Sequence, residues 1–316
     1  MLPDAPITKE IMNDYILPEE GRNIQLCSHQ RHILNMFFTP RDPDDIRTLP
    51  YRNLIYSAPK KHGKTELSAA ITWAFAKVYG GEIYVCSNDK EQSQGRLYLR
   101  ILELLDWMQF NDAGRYGDIC DMNTRDRIDL RFPETGKRAT ILPQALDYRG
   151  IAGARNALVV FDELHGYTSE AAERFWSELQ PIPTIRESIR VVTSYAGFAG
   201  ESNLLYELYS TCLQPDVVTG EATRPILKAG NGLPVYEAPQ TLCYWDTNPK
   251  RVPWVTDEFL EGVRGDPAVS DAEYRRLWLN QWVTGENAFI QPSDLDRSAE
   301  EGARHGLYNR MEELLV

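Results

Sequence analysis

The chain has 316 residues, enough for one large α/β domain with an appendage or for two domains of roughly 100–200 residues each. Hydrophobic residues make up 42% and charged residues 25%, ordinary proportions for a folded globular protein, which excludes wholesale disorder. The net charge of −12 excludes a surface that attracts nucleic acid everywhere, although screening over ~8 Å at physiological salt leaves room for a local basic stripe.

Residues 1–50 read as an N-terminal helical segment, with a helix at 28–38 followed by a polar loop at 39–50 rich in Pro, Asp and Arg. The regular pattern begins after it. Apolar runs at 53–58, 82–87, 157–161 and 189–194 are predicted strands, and between the first two Leu67, Ala70, Ile71, Ala74 and Val78 share one face of a predicted helix. This alternation predicts a mainly parallel sheet with helices on its faces. Residues 107–150 form a polar insertion with a β ribbon, 127–132 and 138–142 around Glu134-Thr135-Gly136, read as an excursion from the sheet. Its Arg125, Arg127, Arg131, Lys137 and Arg138 are candidates for gripping nucleic acid, a solvated charged ribbon being the other reading.

After Ser194 come a predicted helix at 202–212, a Pro/Gly-rich connection through Pro239, an apolar run at 241–245 and two helical stretches ending near Trp282. Together they are expected to form a smaller second lobe. Residues 291–316 are polar and read as a linker or a truncated tail. The longest apolar stretches, 69–76 and 157–161, fall far short of the ~20 residues a spanning helix needs, and no apolar run follows Asp4, Lys9 and Glu10 as in a signal peptide. A cytoplasmic protein is expected. Cys27, Cys86, Cys120, Cys212 and Cys243 form no CxxC pair and are expected to be reduced thiols.

Two segments carry chemistry. Ala58-Pro59-Lys60-Lys61-His62-Gly63-Lys64-Thr65 lies where a predicted strand gives way to a predicted helix, the context of a phosphate-binding loop. Backbone N–H groups at a helix start, with the helix dipole, favour an anion there. In such a loop Lys64 reaches the β and γ phosphates and the Thr65 hydroxyl helps hold magnesium. Ala58 stands where the usual pattern has its first glycine. The second segment, Ala157-Leu158-Val159-Val160-Phe161, ends in Asp162-Glu163. Asp162 is a candidate for the magnesium shell, and Glu163 for orienting or deprotonating an attacking water. Ile189-Arg190-Val191-Val192-Thr193-Ser194 is a further strand ending in two hydroxyls, in the position of a γ-phosphate sensor.

The set resembles the large terminase subunits of tailed bacteriophages over about residues 25–290. The resemblance rests on the basic residues ahead of Gly63-Lys64-Thr65, on Asp162-Glu163-Leu164-His165, on Thr193-Ser194 followed by Ala196-Gly197, and on Trp278-Leu279-Asn280-Gln281-Trp282 followed by Asn287-Ala288-Phe289-Ile290. It implies a P-loop NTPase of the additional-strand class, with a mainly parallel central sheet flanked by helices and a small C-terminal lid lobe. It implies ATP and Mg2+ as cofactors and Thr193-Ser194 as a motif coupling hydrolysis to lobe movement. The implied partners are double-stranded DNA, a portal protein, a small terminase subunit and further copies of the chain in a ring, a pentamer in the family, working in the host cytoplasm. It divides the chain into a segment at 1–50 with adenine-side contacts, a P-loop ATPase core at 51–200, a lid at 201–290 and a linker or truncated tail at 291–316.

Two further correspondences belong to the resemblance. Gln30, after His29, is similar to the family's adenine-recognising glutamine, an amide able to donate and accept at once. Arg149, before Gly150, resembles the arginine that large terminases present to a neighbour's ATP, with Arg155 as the other candidate. The family's nuclease is not expected here, since Asp294 and Asp296 are the only aspartates after the closing segment. Two other functions fit part of the pattern. Asp162-Glu163-Leu164-His165 also spells a DExH helicase motif, but residues 200–316 are too few for a second motor domain. A nucleotide-binding ring component that does not hydrolyse ATP would have no need of Glu163.

Overall fold

The computed structural model describes residues 3–87, 96–145, 151, 153–216 and 220–284. In chain order, α1 (Pro6–Asp14), β1 (Ile16–Leu17), β2 (Arg22–Asn23) and α2 (Ser28–Phe38) precede β3 (Asn53–Ser57), α3 (Lys64–Val78) and β4 (Gly81–Cys86). Then follow α4 (Arg96–Asn111), α5 (Ala113–Ile119), β5 (Cys120–Asn123), β6 (Ile128–Phe132), β7 (Lys137–Gln144), β8 (Asn156–Asp162), α6 (Glu170–Glu178) and β9 (Ile189–Ser194). The last described part comprises β10 (Phe198–Ala199), α7 (Asn203–Leu213), β11 (Val235–Ala238), β12 (Thr241–Trp245), α8 (Asp257–Arg264), α9 (Asp271–Trp278) and β13 (Val283–Thr284).

Nine of these strands form one sheet in the order β11-β12-β3-β9-β8-β4-β7-β6-β5. The six strands from β12 to β7 run parallel, and the antiparallel pairs lie at the two margins. Parallel strands covered on both faces need apolar residues at every position, and alternate residues here do go to opposite cores. Leu54, Tyr56, Val85, Val160 and Val191 join the cluster beneath α1 to α4, whereas Ile55, Cys86, Phe161 and Val192 join the cluster beneath α6 and α7. The result is a three-layer α/β/α body. β9 inserts between β3 and β8, which is the strand order of the additional-strand class.

Three expectations change. The ribbon is no excursion: β7 pairs in parallel with β4, satisfying an edge that would otherwise present unpaired N–H and C=O groups, and β6 and β5 continue the sheet outward. Its basic residues are largely solvated, with Arg127 on Asp129 at 2.7 Å and Arg131 on Asp121 at 3.6 Å. The apolar run at 241–245 is likewise no part of a separate lobe, since β12 lies against β3 in register and brings β11 with it. What stands apart is a small layer around α8 and α9, whose own core is Val252, Val255, Leu260 and Trp278. Finally, α3 is buried on nearly every side rather than on one face, because α1 and α4 cover the side turned away from the sheet.

Candidate functional site

The parallel register brings the ends of three strands level. Ser57 of β3 pairs with Ser194 of β9, and Thr193 of β9 pairs with Asp162 of β8. Each carboxyl end therefore delivers its polar residues to one edge, the usual place for a ligand in an open α/β sheet.

From Ser57 the chain turns through the loop into α3. Ala58 continues the ladder, its N–H donating to the Ser194 carbonyl at 3.2 Å, and has no positive φ, so the missing glycine is not needed there. Left-handed backbone occurs instead at Lys61 (φ 68°) and Gly63 (φ 71°). Glycine takes this conformation freely, while at Lys61 it costs about 1–2 kcal/mol. Bonds from the C-terminal layer hold that strained turn. Trp254 Nε1 donates to the Lys61 carbonyl at 2.7 Å, the Lys60 N–H donates to the Leu277 carbonyl at 2.6 Å, and His62 Nε2 lies 3.0 Å from the Pro249 carbonyl oxygen. Burial pushes His62 down to about 4, so its imidazole is neutral at pH 7. Pro59 is buried, and Lys60 and Lys61 are exposed.

α3 starts at Gly63 with no side-chain cap, so the orphan N–H groups of its first turn remain open to an anion. Lys64 is buried, and Nζ donates to the carbonyls of Ala58 at 2.9 Å and Pro59 at 3.0 Å. Burial lowers its pKa, against the pull of Glu163 and Asp162. Thr65 Oγ1 donates to Asp162 Oδ2 at 3.3 Å, and Thr193 Oγ1 donates to Asp162 Oδ1 at 2.9 Å. The loop, the acidic end of β8 and the end of β9 thus meet on one carboxylate. Burial, then the adjacent Glu163 charge, push Asp162 up to about 6, against the hydrogen bonds from Thr193 and Thr65 and the pull of Lys64. A magnesium ion suits this spot, since the Thr65 hydroxyl and the Asp162 carboxylate are hard oxygen donors.

Glu163 adopts a left-handed conformation (φ 53°), a strain of the kind that concentrates at functional positions. Burial alone would raise its pKa, but His165 and Lys64 outweigh it and hold the carboxyl below the ordinary glutamate value. His165 Nδ1 lies 3.2 Å from Glu163 Oε2, and its ring packs on Tyr195 at a 30° tilt with centroids 4.1 Å apart. The His165 N–H donates to Ser194 Oγ at 3.1 Å, and Ser202 Oγ donates to the His165 carbonyl at 2.7 Å. Gly197 is what admits Ser202 so closely, for a Cβ there would sit 2.0 Å from the Ser202 oxygen.

On the other side of Gly63 a cavity of about 570 Å³ is lined by Ile24, Leu26, Gln30, Leu67 and the exposed Trp254. Gln30 does reach the loop, with Nε2 beside Gly63, but its oxygen already accepts the Cys27 N–H at 2.9 Å as the cap of α2. The expectation of an amide that both donates and accepts is narrowed accordingly. Arg149 lies outside the described residues, as do Gly150 and residues 287–290; Arg155 is exposed. Sequence reasoning missed Tyr195, Trp254 and Arg276, and saw Asn280 only as part of a closing motif. Asn280 is fully buried with φ 51°. Its Nδ2 donates to Ser57 Oγ and the Asp246 carbonyl, and its Oδ1 accepts the Ala196 N–H at 2.7 Å, binding together the ends of β3, β9 and β12.

No protein-family model matches the sequence, and no curated protein is similar to it. Among solved structures, the fold is similar to the large terminase of bacteriophage HK97, with a TM-score of 0.54 and 15% identity over 91% of this chain and 57% of that one. It is also similar to the large terminase ATPase domain of Thermus phage P74-26, with a TM-score of 0.51 and 14% identity over 74% of this chain and 90% of that one. The chain therefore has the fold of a large terminase ATPase domain and spans little more than half the length of the HK97 protein. Among the described residues no helix is long and apolar enough to cross a membrane.

Proposed function

We propose that this chain is a magnesium-dependent ATPase, the motor portion of a large terminase that couples ATP hydrolysis to the movement of double-stranded DNA into a procapsid. The observation that carries the reading is the convergence of Thr65 and Thr193 on Asp162, directly beside the buried Lys64 and the start of α3. No simple structural demand explains a buried lysine resting on carbonyls, a buried carboxylate held by two hydroxyls and an uncapped helix start at one point, whereas a triphosphate with its cation satisfies all three.

In this reading the first turn of α3 receives the phosphates, and Lys64 exchanges the Ala58 and Pro59 carbonyls for phosphate oxygens. Thr65 and Asp162 hold magnesium, which supplies neutralisation of phosphate charge when bound. Glu163, ionised at neutral pH, orients the attacking water and accepts its proton, while His165 fixes the carboxylate. Thr193 and Ser194 report on the site through β9, and Gln30 and Trp254 border the cavity offered to the base. Arg149 is proposed to act on a neighbour's nucleotide in a ring of copies, with DNA, a portal protein and a small terminase subunit as the remaining partners. The acidic net charge leaves DNA contact to a local surface.

The test is steady-state hydrolysis of ATP with magnesium by the wild-type chain and Glu163→Gln. The variant should bind ATP yet turn over about 10²–10⁴ times more slowly, the usual worth of a positioned acid or base. Turnover within a few-fold of wild type would remove Glu163 from the chemistry.

A further inference from the structure

Arg276 on α9 is a charged group near the site that the mechanism above leaves unused. Its guanidinium carbon lies 5.3 Å from the ring centroid of Tyr195 and 4.5 Å from that of Phe198. The Tyr195 ring is shared with the proposed nucleotide site: Lys64 Nζ is 5.1 Å from its centroid and His165, the partner of Glu163, packs against it. Among the described residues Arg276 makes no ion pair; it shares a side-chain hydrogen bond with Tyr195, and its Nε is buried without a hydrogen-bond partner. Aromatic faces stabilise a cation only modestly, and an arginine donor shut away from water without an acceptor is costly. The arrangement is that of a cation set beside a place where an anion arrives. The backbone fixes it there, since the residue after Arg276, Leu277, receives the Lys60 N–H of the loop through its carbonyl.

The position also selects which part of a nucleotide it meets. In the nucleotide reading the cavity beside Gly63 and Gln30 takes the base, whereas Tyr195 lies between Arg276 on one hand and Lys64 and Glu163, at the phosphate end, on the other. We infer that Arg276 binds the terminal phosphate of the nucleoside triphosphate, in cis, from the C-terminal layer. This rests on the nucleotide reading of the site. An arginine fork can hold two phosphate oxygens at once, and when the terminal phosphate leaves, α9 loses that hold. Hydrolysis is thereby sensed by the layer that also grips the loop at Lys60, His62 and Lys61.

The experiment is calorimetric titration of the full chain with Mg-ATP and with Mg-ADP, comparing Glu163→Gln as a non-hydrolysing parent with the same protein carrying Arg276→Ala or Arg276→Lys. ADP affinity should stay within about threefold of the parent in both. ATP affinity should fall about 10-fold or more in Arg276→Ala, the size expected for one lost charge-assisted contact, with partial recovery in Arg276→Lys. Equal weakening of both nucleotides, or unchanged ATP affinity, overturns the assignment while leaving the nucleotide site standing. A parent that binds neither nucleotide removes the site itself and the inference with it.

Discussion

At the scale of single residues the site is made of groups held in states they would not choose alone. Lys61 and Glu163 have left-handed backbones, Lys64 is buried on carbonyl oxygens, and Asp162 is pushed up to about 6 by burial and by Glu163. Each of these costs folding free energy that a bound nucleotide and metal would offset. For Asp162 the sign can be worked out. A carboxyl with a folded pKa above its ordinary 3.8 favours folding most where it is protonated, and that contribution is lost as pH rises through about 6. Asp162→Asn keeps an acceptor for Thr193 and removes the buried charge. In denaturant titrations without metal it should therefore be about 1–3 kcal/mol more stable than wild type near pH 8, with the gain shrinking below pH ~6 and absent near pH ~4. A destabilised variant at pH 8 would mean that the carboxylate is well compensated in the free protein.

At the scale of elements, the N-terminal helix is fastened by charge. Asp14 at the end of α1 accepts from Trp73 Nε1 at 3.2 Å and pairs with Lys77 of α3 at 3.2 Å and with Arg115 of α5. Burial alone would raise its pKa, but Arg115 and Lys77 prevail and hold it below 3.8. Such a group stabilises above its unfolded pKa, and the effect is lost as pH falls through the depressed value. Asp14→Asn should cost about 1–3 kcal/mol at pH 7 in thermal or denaturant unfolding, and the gap to wild type should close below pH ~4. A gap of constant size across that range would show that packing, not charge, fastens α1. The elements also show what the sequence disclosed. Strand runs at β3, β4, β8 and β9 were legible because both-face burial leaves an unbroken apolar run, and α2 matched residue for residue. The destinations of β7 and β12 were not legible, since joining a sheet edge depends on a neighbour's unpaired backbone and leaves no mark in local composition. In the site, Gly63-Lys64-Thr65 and Asp162-Glu163 stood out through spacing and strand context. Trp254 ahead of α8, Arg276 on α9 and Asn280 after it reach the site across about 200 residues of chain, and nothing in their own neighbourhoods announces it.

At the scale of the whole molecule the phosphate loop belongs to two bodies. The central sheet supplies its root, and the layer around α8 and α9 holds its crown through Pro249, Trp254 and Leu277, while Asn280 ties that layer to three strand ends. A ligand change at the loop would therefore be felt in the C-terminal layer, which is the physical route from hydrolysis to movement that the proposed function needs. Beneath this lies one claim, that the loop and the acidic strand end grip a single triphosphate and its metal. The most direct measurement is a crystal structure of Glu163→Gln grown with ATP and magnesium. The phosphates should lie at the first turn of α3, with Lys64 Nζ moved from the Ala58 and Pro59 carbonyls onto phosphate oxygens and the metal between Thr65 and Asp162. A nucleotide bound on another face, with Lys64 still on those carbonyls, would contradict the account.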